Sequence, residues 1–159
     1  MQSTSDVASF FVSTATRRRK VLSDDRLIQP LTILVVDSEP MILRTVTSML
    51  SLHGHRALAA VSGEEALKIC EEGGSEIDLL LTDIHMPEMN GIELARCIAQ
   101  THTTLPILFM TGASTETPQM RILLRAQKFR APKFLRKPFS AKALMKAIDG
   151  ALISMHSPA

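Results

Sequence analysis

Four residues carry groups that could do chemistry together: Asp37, Asp83, Thr111 and Lys137. Each follows a short run that reads as a strand: ILVV at 33–36, IDLLLT at 77–82, ILFM at 107–110 and KFLR at 133–136. Two carboxylates can hold a hard cation such as Mg²⁺ through oxygen ligands. One carboxylate can act as a nucleophile toward a phosphoryl group, giving an acyl phosphate. A hydroxyl and an ammonium can bind the phosphate oxygens while a metal neutralises the charge that develops during transfer. Taken singly, each residue has a plainer reading; Asp83 alone could be a turn or cap aspartate. The set of four is informative because all of them sit at strand ends, where open α/β sheets bind their ligands.

The elements that must place these groups are legible from residue 32 onward. Continuous apolar runs suit parallel strands covered on both faces, and strands are expected at 33–36, 56–60, 77–82, 107–110 and 133–136. Helices are expected between them. Pro40 fits the first turn of the first helix, where Ile42, Leu43, Val46, Met49 and Leu50 form a core stripe. Gly54 stops it. Ser62 and Glu65 have the spacing of a capping box for the second helix, which runs to Glu72 before Gly73-Gly74. Asn90-Gly91 opens the third, and Thr117-Pro118 a fourth through Gln127. Ser140 caps the last, with Leu144, Ile148 and Leu152 inward. Five strands alternating with five helices predict an α/β fold with a doubly wound, five-stranded parallel sheet, (βα)5.

Composition narrows the function. The 159 residues are 45% hydrophobic and 21% charged, as in a soluble single domain, and no apolar run has the roughly 18–20 residues of a membrane span. The two cysteines, Cys70 and Cys97, lack metal or redox spacing and read as buried thiols of a reducing compartment. The scattered His53, His55, His102 and His156 show no metal spacing either. The absence of Trp and Tyr argues against a stacking surface for single-stranded nucleic acid. Residues 32–104 hold 4 Lys/Arg against 11 Asp/Glu, whereas 105–146 hold 9 against 1. One half is acidic and the other basic, a pattern that bears on partners rather than on fold. Residues 1–30 read as a flexible arm, 31–155 as the domain and 156–159 as a short tail. The basic run Arg17–Lys20 follows the apolar patch at 7–12 rather than preceding it, which excludes a secretory signal.

The motifs ILVVDSEP, LLLTDIHMPEMNG, ILFMTGAS and FLRKPFS resemble, in order and spacing, those of receiver domains in bacterial two-component response regulators. The resemblance covers about residues 32–154. It implies a flavodoxin-like fold in which Asp83 is the phosphoacceptor and Asp37 an acid of the metal pocket. The His85 backbone carbonyl would be a further Mg²⁺ ligand. Thr111 would be the switch hydroxyl, Lys137 the phosphate-binding lysine, followed by a cis bond to Pro138, and Phe134 the switch aromatic. A histidine kinase or phosphotransfer protein would donate the phosphoryl group in the cytoplasm. The chain would then be a signalling module rather than an enzyme. Output would pass in trans through a face carrying Arg121, Arg125, Lys128, Lys133, Arg136, Lys142 and Lys146, which suits a partner with an acidic surface. A solvated face is the plainer reading of those cations.

One position departs from the family pattern. Where receivers usually carry two adjacent acids, this chain has Asp37-Ser38. Ser38 reads as a helix N-cap, and either its neutral oxygen or the neighbouring Glu39 is the remaining candidate for the metal, whose binding is expected to weaken. The alternative function is therefore a receiver fold that binds proteins without phosphorylation. A haloacid-dehalogenase-type phosphatase is a poor fit, since His85 stands where that family needs a second acid. Direct nucleic-acid binding has only the basic residues in its favour, and no membrane span is expected.

Overall fold

The computed structural model describes residues 29–73, 76–112 and 132–154. Five strands, β1 (Thr32–Val36), β2 (Arg56–Ala60), β3 (Leu79–Asp83), β4 (Ile107–Thr111) and β5 (Lys133–Arg136), form one parallel sheet in the order β2-β1-β3-β4-β5. The described helices are α1 (Pro40–Leu52), α2 (Gly63–Gly73), α3 (Gly91–Thr101) and α4 (Ala141–Ser154). The helix expected at 117–127 and the arm at 1–28 lie outside the described residues, as do 155–159.

Alternate residues of the strands face opposite sides, and each side has its own core. Ile33, Val35, Leu79, Leu81, Leu108 and Met110 pack with Leu43, Val46 and Leu50 of α1 and with Leu144, Ile148 and Ala151 of α4. On the other side Leu34, Val36, Leu80 and Phe109 meet Ala66 and Cys70 of α2 and Leu94, Ala95 and Ile98 of α3. Helices on both faces are the reason the central strands β1, β3 and β4 are mostly apolar, whereas the edge strands β2 and β5 carry Arg56, Lys133 and Arg136. Of the expected stripe on α1, Leu43, Val46 and Leu50 are buried, while Ile42 and Met49 are half-buried at its edges. Both cysteines are free thiols.

Three local expectations shift. The strands β3 and β4 run one residue further than their apolar stretches, because Ile84 N–H donates to Met110 O at 3.2 Å and Lys137 N–H to Thr111 O at 2.7 Å. Asp83 and Thr111 are thus the last ladder residues rather than the first loop residues. Glu39, not Ser38, is the N-cap of α1 and makes no side-chain cap bond; Asp37 Oδ1 accepts the Glu39 N–H at 2.9 Å, so an Asx-turn takes the place of a serine cap. At α2, Ser62 Oγ accepts from Glu65 N–H at 3.2 Å as expected, but the Glu65 carboxylate reaches back to Val61 N–H rather than to Ser62.

Candidate functional site

The strand ends bring the four groups together. Registers pair Val36 with Thr82, Asp83 with Met110 and Thr111 with Arg136, so the residues at and just beyond these pairs share one edge of the sheet. Asp37 continues β1, its N–H donating to Ala60 O at 3.2 Å. Lys137 follows β5, with a cis bond to Pro138 as the resemblance implied.

Lys137 Nζ lies 2.6 Å from Asp37 Oδ2 and 3.1 Å from Asp83 Oδ1. One ammonium thus bridges two carboxylates from strands flanking each other in the sheet. Asp37, Asp83 and Thr111 are buried, and the Lys137 side chain is 18% exposed. Burial raises the Asp83 carboxyl above its ordinary range, and the neighbouring Asp37 charge adds to that. The Lys137 contact opposes both without cancelling them. For Lys137, burial works against its charge, but the contacts with Asp37 and Asp83 outweigh burial and hold its pKa up. The ion pair is thus strongest in its ammonium form while Asp83 is held against its own ionisation.

Thr111 Oγ1 is buried and has no hydrogen-bond partner. Buried hydroxyls ordinarily find one, and this one sits at the end of β4, next to the β3 end that carries Asp83. Two residues earlier on β4, the Phe109 ring stacks on Phe134 of β5, with centroids 5.8 Å apart and planes at 26°. Phe109 is fully buried and Phe134 half-buried.

Around Asp83 the backbone is close-packed. Asn90 caps α3 with its side chain on Ile92 and Glu93 N–H, and Glu93 returns a bond to Asn90 N–H at 3.1 Å, completing a capping box. Gly91 N–H donates to Ile84 O at 3.0 Å. A Cβ on Gly91 would lie 2.0 Å from Asp83 O, so only glycine lets α3 begin there. Glu88, at φ 64°, makes the left-handed turn before the cap.

The remaining candidates divide. His85 is exposed, and its charge favours ionisation of Asp83. Ser38 is half-buried and Glu39 exposed. Among the described residues no group of three or more acids, histidines or cysteines could hold a metal; the carboxylates that meet at Lys137 are Asp37 and Asp83. That donor set still fits Mg²⁺, which takes one or two carboxylates together with phosphate oxygens and retained waters. Lys133 is half-buried, and Arg136, Lys142 and Lys146 are exposed; Arg121, Arg125 and Lys128 lie outside the described residues. The sequence missed Gly91 as a packing requirement and Phe109 as the partner of Phe134. The dipeptide Asn90-Gly91 signalled a helix start, and its glycine was the available clue to close approach.

Residues 33–149 match the family model described as the response regulator receiver domain. The sensor kinase CckA of Brucella abortus is 35% identical over 134 residues, spanning 84% of this chain but 14% of CckA. The transcriptional regulatory protein CpxR of Escherichia coli is 32% identical, with 78% of this chain and 50% of CpxR covered. This chain therefore spans half or less of the length of those relatives. Protein PilH of Pseudomonas aeruginosa, 30% identical, is covered over 96% of its length by 76% of this chain. Among solved structures, a receiver domain protein from Clostridium thermocellum matches at TM-score 0.69 and 31% identity, over 77% of this chain and 94% of that one. The chemotaxis protein CheY4 of Vibrio cholerae matches at TM-score 0.70 and 26% identity, over 78% and 100%. Among the described residues no helix is long and apolar enough to cross a membrane.

Proposed function

Because the chain belongs to the response regulator receiver domain family of two-component systems, we propose that it is a phosphoacceptor whose Asp83 receives a phosphoryl group from a histidine kinase or phosphotransfer protein in the cytoplasm. The observation that carries this reading is the bridge from Lys137 to both Asp37 and Asp83 beside the orphaned Thr111 hydroxyl. The Asp83 carboxylate attacks phosphorus, an oxygen–phosphorus bond forms, and the bond from phosphorus to the donor imidazole breaks. The imidazole leaves with the electron pair and takes up a proton. Lys137 then turns from the Asp83 carboxylate to a phosphoryl oxygen, and Thr111 Oγ1 donates to another. Asp37, Asp83 and the His85 backbone carbonyl would hold Mg²⁺, which supplies neutralising charge on the transferring group when bound.

Thr111, whose buried hydroxyl has no partner among the described residues, is the switch hydroxyl. Moving its hydroxyl toward the phosphoryl group frees space that Phe134 can follow, a population shift driven by charge-assisted contacts. The unit at 31–155 then signals in trans through the cationic face to an acidic partner, with Lys133, Arg136, Lys142 and Lys146 its described members.

The test is intact-protein mass after incubation with acetyl phosphate and Mg²⁺, for wild type and Asp83→Asn. One phosphoryl adduct on wild type and none on the variant is expected. No adduct on wild type, with kinase-driven transfer also absent, contradicts the reading. That outcome favours a phosphorylation-independent protein-binding module, a reading motivated by Ser38 and the two-carboxylate donor set.

A further inference from the structure

At the edge of the sheet opposite the site, the chain enters β1 through a clasp of four hydrogen bonds. Arg56 N–H donates to Leu31 O at 2.7 Å and Asp78 N–H to Thr32 O at 2.8 Å. The Thr32 N–H donates to Asp78 Oδ2 at 2.8 Å. The fourth bond differs in kind: Leu31 N–H donates to Nδ1 of His55 at 3.3 Å. Leu31 is buried, whereas Gln29 and Pro30 just before it are exposed. The imidazole can accept that bond only as the neutral tautomer whose proton is on Nε2. A second proton on Nδ1 would set N–H against N–H and leave this half-buried backbone donor without its partner.

We propose that His55 is a proton-operated latch on the entry to β1, holding the Leu31 backbone when neutral and releasing it when protonated. The inference goes beyond phosphoacceptor chemistry and does not depend on it. The charged groups around the latch are few among the described residues. His53, at the end of α1, disfavours a second positive charge, and Asp149 of α4 favours one. Arg56, next on β2, pairs with Glu76 at 3.4 Å. Asp78, at the foot of β3, is engaged by Thr32. Burial first, then His53, outweigh Asp149, so the His55 pKa is held below its ordinary value. A depressed folded-state pKa means that the neutral latch stabilises fully above the ordinary histidine range. That stabilisation is lost as pH falls through the folded value.

The experiment is amide hydrogen exchange by NMR on the full chain at a series of pH values, corrected for intrinsic rates, with the His55 ring signals followed in the same samples. In wild type, Leu31 protection is expected to fall about 2- to 12-fold through the His55 titration, the equivalent of one lost hydrogen bond. The Leu80 amide, which donates to Pro106 O at 3.0 Å in mid-sheet, is expected to stay protected and serves as the internal reference. His55→Asn offers a carboxamide oxygen that accepts at every pH and should remove the pH dependence. His55→Ala should show low Leu31 protection throughout. If the alanine variant does not fold, wild type and the asparagine variant decide between them. Leu31 protection that stays level while His55 titrates, or that falls equally in His55→Asn, overturns the latch.

Discussion

Gly91→Ala perturbs the site while removing none of its chemical groups. The added Cβ would lie 2.0 Å from Asp83 O and 3.1 Å from Ile84 Cα, against an ordinary contact that begins at 3.4 Å. The gap between 2.0 and 3.4 Å means that α3 and the end of β3 must part by about 1.4 Å. The obstacle is backbone rather than the tip of a flexible side chain, so the strain falls on the residue that carries the carboxylate. Overpacking of this kind costs about 1–3 kcal/mol. Misplacing a reacting group by about 1 Å slows its chemistry on the order of 100-fold. The assay is phosphoryl incorporation from acetyl phosphate at saturating Mg²⁺, read by intact mass, alongside urea unfolding. Gly91→Ala is expected to react about 100-fold more slowly and to lose about 1–3 kcal/mol of stability. Gly150→Ala is the control: a Cβ there meets nothing within 4 Å in the interior of α4. It should gain about 0.4–1 kcal/mol and react normally. A Gly91→Ala protein that reacts at the wild-type rate with unchanged stability would refute the argument that α3 is seated on the Asp83 backbone.

Three further outcomes follow from the same pocket. Burial raises the Asp83 pKa, so its ionised form opposes folding. A raised folded-state value favours folding below the ordinary carboxylate range, and that benefit is lost as pH rises through it. Metal-free Asp83→Asn should therefore melt above wild type at pH 7, with the gap closing on acidification; a lower melting temperature at pH 7 contradicts this. Lys137→Met leaves Asp37 and Asp83 buried without their bridging cation, and urea unfolding without metal should show a loss of up to about 3–5 kcal/mol. Added Mg²⁺ should restore part of it, and indifference to Mg²⁺ would count against a metal site there. Ser38→Asp should tighten Mg²⁺ binding measured by titration, and an unchanged affinity would show that Ser38 does not limit the metal.

The fold was legible because its signals are local. Runs such as Ile33–Val36 and Leu79–Leu81 are buried on both faces, and helix stripes such as Leu43, Val46 and Leu50 repeat at the helical period. The identity of the strand-end residues was legible for the same reason. What joins those residues was not. The Lys137–Asp37 bond spans 100 positions and has no sequence pattern of its own. The start of α1 was misread because Ser38 has good cap chemistry, yet Asp37 reaches the Glu39 N–H first. Glycine at 91 was read as punctuation, whereas its reason is a three-dimensional contact with Asp83. Likewise, Phe109 read only as strand filler, since the Phe134 ring that covers it comes from β5.

The most direct test of the account is to locate the phosphoryl group chemically. Borohydride reduces an aspartyl phosphate to the alcohol, leaving homoserine in place of the modified aspartate, which peptide mass spectrometry can place. After reaction with acetyl phosphate and Mg²⁺, homoserine is expected at position 83 and at no other aspartate. Homoserine at position 37, or a phosphorylated protein with none at 83, would contradict it.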